Sequence, residues 1–242
     1  MLKRLFDIVV AGMGLILSSP VLLPVMYLVR RQDGQSPFYV APRVGVDGSE
    51  FRMVKLRSMV VGADTSGVDS TGASDTRITP IGHFIRRYKL DELTQLWNVL
   101  VGDMSLVGPR PNVKRETDLY TDQERRLLGV KPGITDLASI VFSDEGEILE
   151  YEDDPDLAYN QLIRPWKSRL GLIYIEHSNL LLDVRLLYLT AVAIIDRERA
   201  LTGVTRILEG MSVEHTVIAV SRRCDRLEPH PPPGSEVVVT TR

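Results

Sequence analysis

The chain is nearly without cysteine: Cys224 is the only one among 242 residues. A lone thiol excludes an intramolecular disulfide and is compatible with a reducing compartment. It lies in a polar C-terminal tail and reads as an incidental surface thiol. Low-complexity repeats are absent. With 44% hydrophobic and 25% charged residues, the composition is that of a folded protein able to bury one substantial core. Strong net charge is missing as well. The formal value of −3 argues against a general nucleic-acid binder, so no nucleic-acid partner is expected. That average conceals an asymmetry. Residues 1–60 carry eight Lys/Arg against four Asp/Glu, whereas 144–156 (DEGEILEYEDDPD) hold eight acids and no base.

Charge is absent altogether over the 22 residues from Ile8 to Val29, IVVAGMGLILSSPVLLPVMYLV. As a straight helix this run would be ~33 Å long, enough to cross a bilayer core. It is too long for a signal-peptide core, and no small-residue cleavage site precedes Arg30-Arg31. Both flanks, Lys3-Arg4 and Arg30-Arg31, are basic, and basic flanks favour the cytoplasmic side. Ser18-Ser19-Pro20 interrupts the run, and Pro24 follows. Pro20 removes a backbone donor and crowds the carbonyl of Ile16, so a bend is expected there. The Ser19 hydroxyl just before it can satisfy backbone groups that lipid cannot. Two basic ends and a bent middle favour a re-entrant helical hairpin over residues 1–31, entering and leaving by one face, over a single span.

Beyond the membrane segment, β-rich runs at 36–40 and 50–59 flank VGVDGS and predict a hairpin around Asp47-Gly48. Residues 60–76 are small and polar, a loop expected to be mobile until something binds. TPIGHFIRRY (79–88) predicts a short basic helix, and another is expected around 121–128. In Gly108-Pro109-Arg110-Pro111 two prolines fix φ on either side of one arginine, a rigid frame that can aim a guanidinium at an oxyanion. A proline-rich turn with a solvated arginine fits those four residues equally. The acidic run 144–156 reads as a solvated loop or the polar start of a helix. Residues 157–176 are helical in pattern, and 179–195 predict an apolar helix lying on the membrane surface or packed in the core. The stretch after 222, ending in EPHPPPGSEVVVTTR, reads as poorly ordered.

KLDELTQLWNVL (89–100) places two adjacent acids, Asp91 and Glu92, ahead of Leu90, Leu93, Leu96, Trp97 and Leu100 at helical spacing, the expected buried stripe. Acids in a first helical turn are ordinary, because the positive end of the dipole favours them. The stretch alone does not separate decoration from chemistry.

Taken together, LKRLFDIV, the Ser19-Pro20 break, RVGVDG, KLRSM, LDELTQLWNVLVGDMSLVGPRP and VKPGIT, in that order over residues 1–195, resemble the bacterial sugar transferases, the monotopic phosphoglycosyl transferases. The resemblance implies an α+β, mainly helical, monotopic membrane protein with a re-entrant helical hairpin, a small β-hairpin and surface amphipathic helices. A cytoplasmic catalytic domain would span 32–196, with a partly disordered C-terminal extension at 197–242. The implied reaction moves a phosphosugar from a UDP-sugar to polyprenol (undecaprenyl) phosphate, releasing UMP, with Mg²⁺, as the first membrane step of a bacterial surface glycan. The location would be the cytoplasmic face of the bacterial inner membrane, in contact with membrane lipid, and homo-oligomer formation is left open.

Residue by residue, the resemblance makes Asp91 the covalent nucleophile and Glu92 the metal ligand. It makes Arg86, Arg110, Pro109 and Pro111 contacts of the phosphate and uridine. The same fold could instead serve a metal-dependent phosphodiesterase, or a silent scaffold binding nucleotide or lipid. Three departures stand out: Asp136-Leu137-Ala138-Ser139 in place of Gly-Trp-Ala-Gln, Ala41-Pro42-Arg43 in place of Gln-x-Arg, and Thr94 in place of a proline.

Overall fold

The computed structural model describes residues 1–63 and 75–240. Most of the small, polar run at 60–76 lies outside the described residues.

The first element, α1 (Leu2–Asp33), is helical through both Pro20 and Pro24. Ser19 Oγ donates to the carbonyl of Ile16 at 2.7 Å, the group that loses its helical donor to Pro20. Ser18 Oγ does the same for Gly14, also at 2.7 Å. The apolar run is mostly outward-facing, with Ile16 73% and Leu17 74% exposed. Its inward side nevertheless touches the protein at both ends. Near the start, Lys3 pairs with buried Asp183, Arg4 donates to the Leu100 carbonyl at 2.8 Å, and Asp7 accepts from Ser105 Oγ and from the Leu106 amide. Near the end, Leu22, Val25 and Val29 join a small core with Leu56, Ile85 and Leu90, and Arg57 forks onto Asp33.

Strands β1 (Phe38–Val44) and β2 (Glu50–Leu56) form the expected antiparallel hairpin, with Val40 opposite Val54. Asp47 (φ 55°) and Gly48 (φ 78°) take the left-handed conformation that an Asp-Gly turn supplies. The next helix, α2 (Pro80–Arg87), starts at Thr79, whose hydroxyl caps the Gly82 amide at 3.0 Å, with Pro80 at the first position. A Cβ on Gly82 would lie 1.8 Å from the Ser58 carbonyl oxygen, so only glycine lets α2 close on the end of the hairpin.

Helices α3 (Leu90–Leu93) and α4 (Leu96–Val101) replace the single helix expected over 89–100. A tightened turn, with Gln95 N bonded to the Glu92 carbonyl, separates them. That turn shifts the phase of the stripe. Leu90 and Leu96 are buried, but Trp97, expected in the stripe, is 55% exposed.

Two strands that the sequence did not reveal follow: β3 (Ser105–Val107) and, after α5 (Lys114–Thr117) and a 3₁₀ turn at Glu124–Gly129, β4 (Gly133–Thr135). They pair in parallel, Ser105 with Gly133 and Val107 with Thr135. Three residues are too short for alternation to register. The helix expected around 121–128 is a 3₁₀ helix that begins only at Glu124.

The remaining α-helices are α6 (Leu137–Val141), α7 (Glu145–Ile148), α8 (Pro155–Ala158), α9 (Arg164–His177), α10 (Leu180–Ile195), α11 (Arg197–Glu209) and α12 (His215–Arg222), with a π-helical turn at Tyr159–Ile163 joining α8 to α9. The acidic run contributes α7 and α8, and part of it is paired rather than solvated: Asp144 with Arg197 and Arg223, Glu145 with Lys167. One large core joins α4, β3, α6, α9, α10, α11 and α12. Helix α10 buries Leu182, Leu186 and Leu189 and leaves Leu181, Val184, Tyr188 and Ile195 outside. Helices α11 and α12 put Ala200, Leu201, Val204, Leu208, Val217 and Ile218 into the same core.

From Cys224 to Thr240 there is no helix or strand, yet the segment is tied down. His230 N donates to the Gln161 carbonyl, Gln161 Nε2 to the Val239 carbonyl, and Arg169 to the Pro231 carbonyl. The His230 ring stacks on Trp166 with centroids 4.4 Å apart.

Candidate active site

The site forms where strand β2, the α2–α3 turn and the loop after β3 converge. Lys89 adopts a left-handed conformation (φ 53°), which ends the α2 run and restarts the helix at Leu90. Burial of Leu90 then fixes the orientation of the first turn of α3, and Asp91 and Glu92 occupy that turn. On a helix neighbouring residues diverge by about 100°, so two adjacent acids face different surroundings.

Glu92 meets Arg110, whose Nη2 donates to Glu92 Oε1 at 3.0 Å. Arg110 Nη1 donates to the Ile134 carbonyl at 2.6 Å, so one guanidinium bridges α3 and β4. Burial alone would raise the Glu92 pKa, but Arg110, followed by Lys55 and Lys89, holds it below the ordinary carboxylate value.

Asp91 behaves oppositely. Burial pushes its pKa up, with Lys55 as the main counterweight and the Glu92 charge adding to the rise. Its Oδ1 is enclosed and has no hydrogen-bond partner among the described residues. Both polar atoms of Gln95, fully buried one turn further on, are in the same condition. Lys55, carried by β2, is pulled below the usual lysine value by burial and by Arg110, and drawn back up by Asp91 and Glu92.

The arginine frame of Gly108-Pro109-Arg110-Pro111 depends on a close backbone approach. A Cβ on Gly133 would stand 2.1 Å from the Gly108 nitrogen, so β3 and β4 meet there only as glycines. Arg86 projects from the last turn of α2, and its Nε donates to Ser58 Oγ at 3.2 Å. Asp91 and Asp75 are the charges that bear on it most. Asp91, Glu92, Arg86 and Arg110 are therefore brought into one neighbourhood, with Pro109 and Pro111 bordering it. Ser19 and Pro20 remain apart, inside α1.

Behind Arg110 opens a small cleft bordered by Pro109, Pro111, Asn112, Asp136, Ser139 and Lys167. Asp136 caps α6, its Oδ1 accepting from the Ser139 amide at 2.7 Å and from Ser139 Oγ at 2.6 Å. Burial raises its pKa, while the Ser139 bonds act against the rise.

Nothing in the sequence marks Lys55 or Gln95 for a role, although both stand inside the KLRSM and LDELTQLWNVL motifs; neither periodicity nor spacing marks a lysine on a strand as a neighbour of two distant acids. Asp136 was visible only as a departure.

Among the described residues no group of three or more His, Cys, Asp or Glu side chains is placed to hold a metal. Magnesium typically needs only one or two carboxylates when substrate phosphates and water complete its shell. Glu92, beside Asp91 and with its Oε1 on Arg110, is the carboxylate that fits that smaller donor set.

The family model described as "Bacterial sugar transferase" matches residues 1–197. The chain is 36% identical over 214 residues to the "Undecaprenyl-phosphate galactose phosphotransferase" of Salmonella typhimurium, covering 82% of this chain and 41% of that protein. It is 38% identical over 177 residues to the "UDP-glucose:undecaprenyl-phosphate glucose-1-phosphate transferase" of Klebsiella pneumoniae, covering 70% and 37%. With the "Uncharacterized sugar transferase EpsL" of Bacillus subtilis it shares 35% identity over 189 residues, covering 78% and 85%. The chain thus spans less than half the length of the Salmonella and Klebsiella relatives.

Proposed function

The chain belongs to the bacterial sugar transferase family, and from that premise we propose that it is a phosphoglycosyl transferase. In this reading it moves a sugar phosphate from a UDP-sugar to undecaprenyl or a related polyprenol phosphate. The observation that carries the reading is the dyad itself: an Asp91 oxygen held without a partner, next to a Glu92 committed to Arg110 and within the field of Lys55. A carboxylate left free in a cationic enclosure is suited to attack a phosphorus, whereas a structural carboxylate would be hydrogen-bonded.

The proposed reaction has two displacements. An Asp91 carboxylate oxygen attacks the phosphorus that bears the sugar; the P–O bond to UMP breaks, and UMP leaves with its electron pair. A phosphate oxygen of the polyprenol phosphate then attacks the same phosphorus, and the Asp91–phosphorus bond breaks to regenerate the carboxylate. Arg110 and Arg86 hold phosphate oxygens through charge-assisted bonds. Glu92 is the residue that would hold Mg²⁺, and the bound cation would supply charge neutralisation for the leaving group.

The topology we favour is a hairpin in one leaflet, with the catalytic domain on the cytoplasmic face of the inner membrane. Its support is that both ends of α1 are fastened to one domain, Lys3 through Asp183 and Asp33 through Arg57. The outward Leu181, Val184, Tyr188 and Ile195 of α10 would rest on the lipid surface.

Incubation with UDP-sugars labelled in the phosphate next to the sugar tests the mechanism. The parent should release UMP and retain label on the protein when polyprenol phosphate is withheld. Asp91→Asn should bind UDP-sugar, trap no label and turn over at least about 10³-fold more slowly. Release of free sugar phosphate with no trapped label would favour the phosphodiesterase.

A further inference from the structure

The outer edge of strand β2 is held by side chains. Asn98 Nδ2 donates to the Arg52 carbonyl at 2.7 Å, and its Oδ1 accepts from the Val54 amide at 2.9 Å. One side-chain amide thereby makes the pair of bonds that a neighbouring strand would make. Thr94 Oγ1 lies 3.2 Å from the Val54 carbonyl and 3.0 Å from the Asp91 carbonyl, so one hydroxyl proton ties the strand to the nucleophile's own residue. Thr94 is 6% and Asn98 1% exposed, so water cannot replace these bonds at an open edge. Lys55 is the next residue along the strand.

We propose that Thr94 and Asn98 are positioning residues that fasten the Asp91 turn to strand β2 and so set where the Asp91 carboxylate stands relative to Lys55. The proposal rests on the transferase reading for its kinetic consequence but not for its geometry. A clamp on the backbone of the nucleophile acts on the chemical step: it leaves substrate affinity alone and alters the approach of oxygen to phosphorus, where an error of about 1 Å costs roughly 10²-fold. A bond serving the fold alone would lower the melting temperature and leave kcat in place.

The test uses the full chain in nanodiscs with polyprenol phosphate. Thr94→Val keeps the shape and loses the hydroxyl; Thr94→Ser keeps the hydroxyl. For Thr94→Val, kcat should fall about 10–100-fold with KM for the UDP-sugar within about twofold, and Thr94→Ser should recover to within about threefold of the parent. A Thr94→Val enzyme with parental kcat, or a Thr94→Ser enzyme as slow as the valine variant, overturns the proposal. A second arm needs no turnover. Exchange of the Val54 amide hydrogen should be slow in the parent and at least about tenfold faster in Asn98→Ala; equal exchange also overturns it. If the parent releases no UMP from any UDP-sugar, the transferase reading fails, and the exchange arm still decides whether the clamp exists.

Discussion

Arg110 reaches Glu92 with one terminal nitrogen, at 3.0 Å, and the Ile134 carbonyl with the other, at 2.6 Å. A planar guanidinium can make both contacts at once; an ammonium on a flexible stem cannot hold the same two directions. Arg110→Lys is therefore expected to raise KM for the UDP-sugar and to lower kcat/KM by about 10–100-fold, with the melting temperature within a few degrees of the parent. Steady-state kinetics and a thermal melt check this. Near-parental kinetics would return Arg110 to the role of a turn residue.

The raised pKa of Asp91 has a consequence for stability. Burial favours its protonated form in the folded state. An acid whose folded pKa exceeds its unfolded value, near 3.9, costs no stability below that value and destabilises progressively as pH rises through the folded pKa. Asp91→Asn removes that cost. The variant should melt above the parent at pH 7, by about 2–4 °C for each kcal/mol relieved, and the gap should narrow as pH falls towards 4. A variant that melts below the parent at pH 7 would show that Lys55 and Arg86 outweigh the burial.

Glu124 is 0% exposed and accepts four bonds: from Arg164 Nε at 3.0 Å, Arg164 Nη2 at 2.6 Å, Ser168 Oγ at 2.7 Å and the Thr121 amide at 3.0 Å. It joins the 3₁₀ turn to the start of α9. Glu124→Ala leaves the Arg164 guanidinium buried without its acid and should cost about 3–5 kcal/mol, a fall of roughly 10 °C or more in the melting temperature. A loss under about 2 °C would mean that Arg164 finds water or a new partner.

The motifs mark the dyad, Arg86 and Arg110 as candidates, because each is a chemically distinct residue in a fixed local frame. The β1–β2 hairpin was legible for a similar reason: Asp47-Gly48 supplies positive φ, and that requirement is local. What stayed hidden is long-range. The β3–β4 pair depends on Gly108 and Gly133 meeting across 25 residues, and two three-residue strands carry no period. Lys55 bears on the dyad from a separate element, β2, to which Thr94 and Asn98 are bonded. Trp97 left its expected stripe because a turn at Thr94-Gln95 tightened, a change of phase that side-chain spacing does not encode.

In the proposed reaction, the position of α1 relative to the bilayer determines whether both substrates can reach Asp91. A polyprenol phosphate presents its head at the membrane surface, while a UDP-sugar arrives from the cytoplasm. A single span would separate Lys3-Arg4 from Arg30-Arg31 by the whole hydrocarbon core, yet both ends bind the same domain. Pro20 is the residue that disfavours a straight helix, with Ser19 Oγ compensating at the Ile16 carbonyl. Replacing it by alanine restores a backbone donor and removes the ring clash. A cysteine placed at residue 2, in a chain lacking Cys224, should be labelled only from the cytoplasmic side. In Pro20→Ala a fraction of the molecules should become labelled from the periplasm, and transferase activity should fall in proportion. Periplasmic labelling of the parent N-terminus would establish an ordinary span and remove the hairpin.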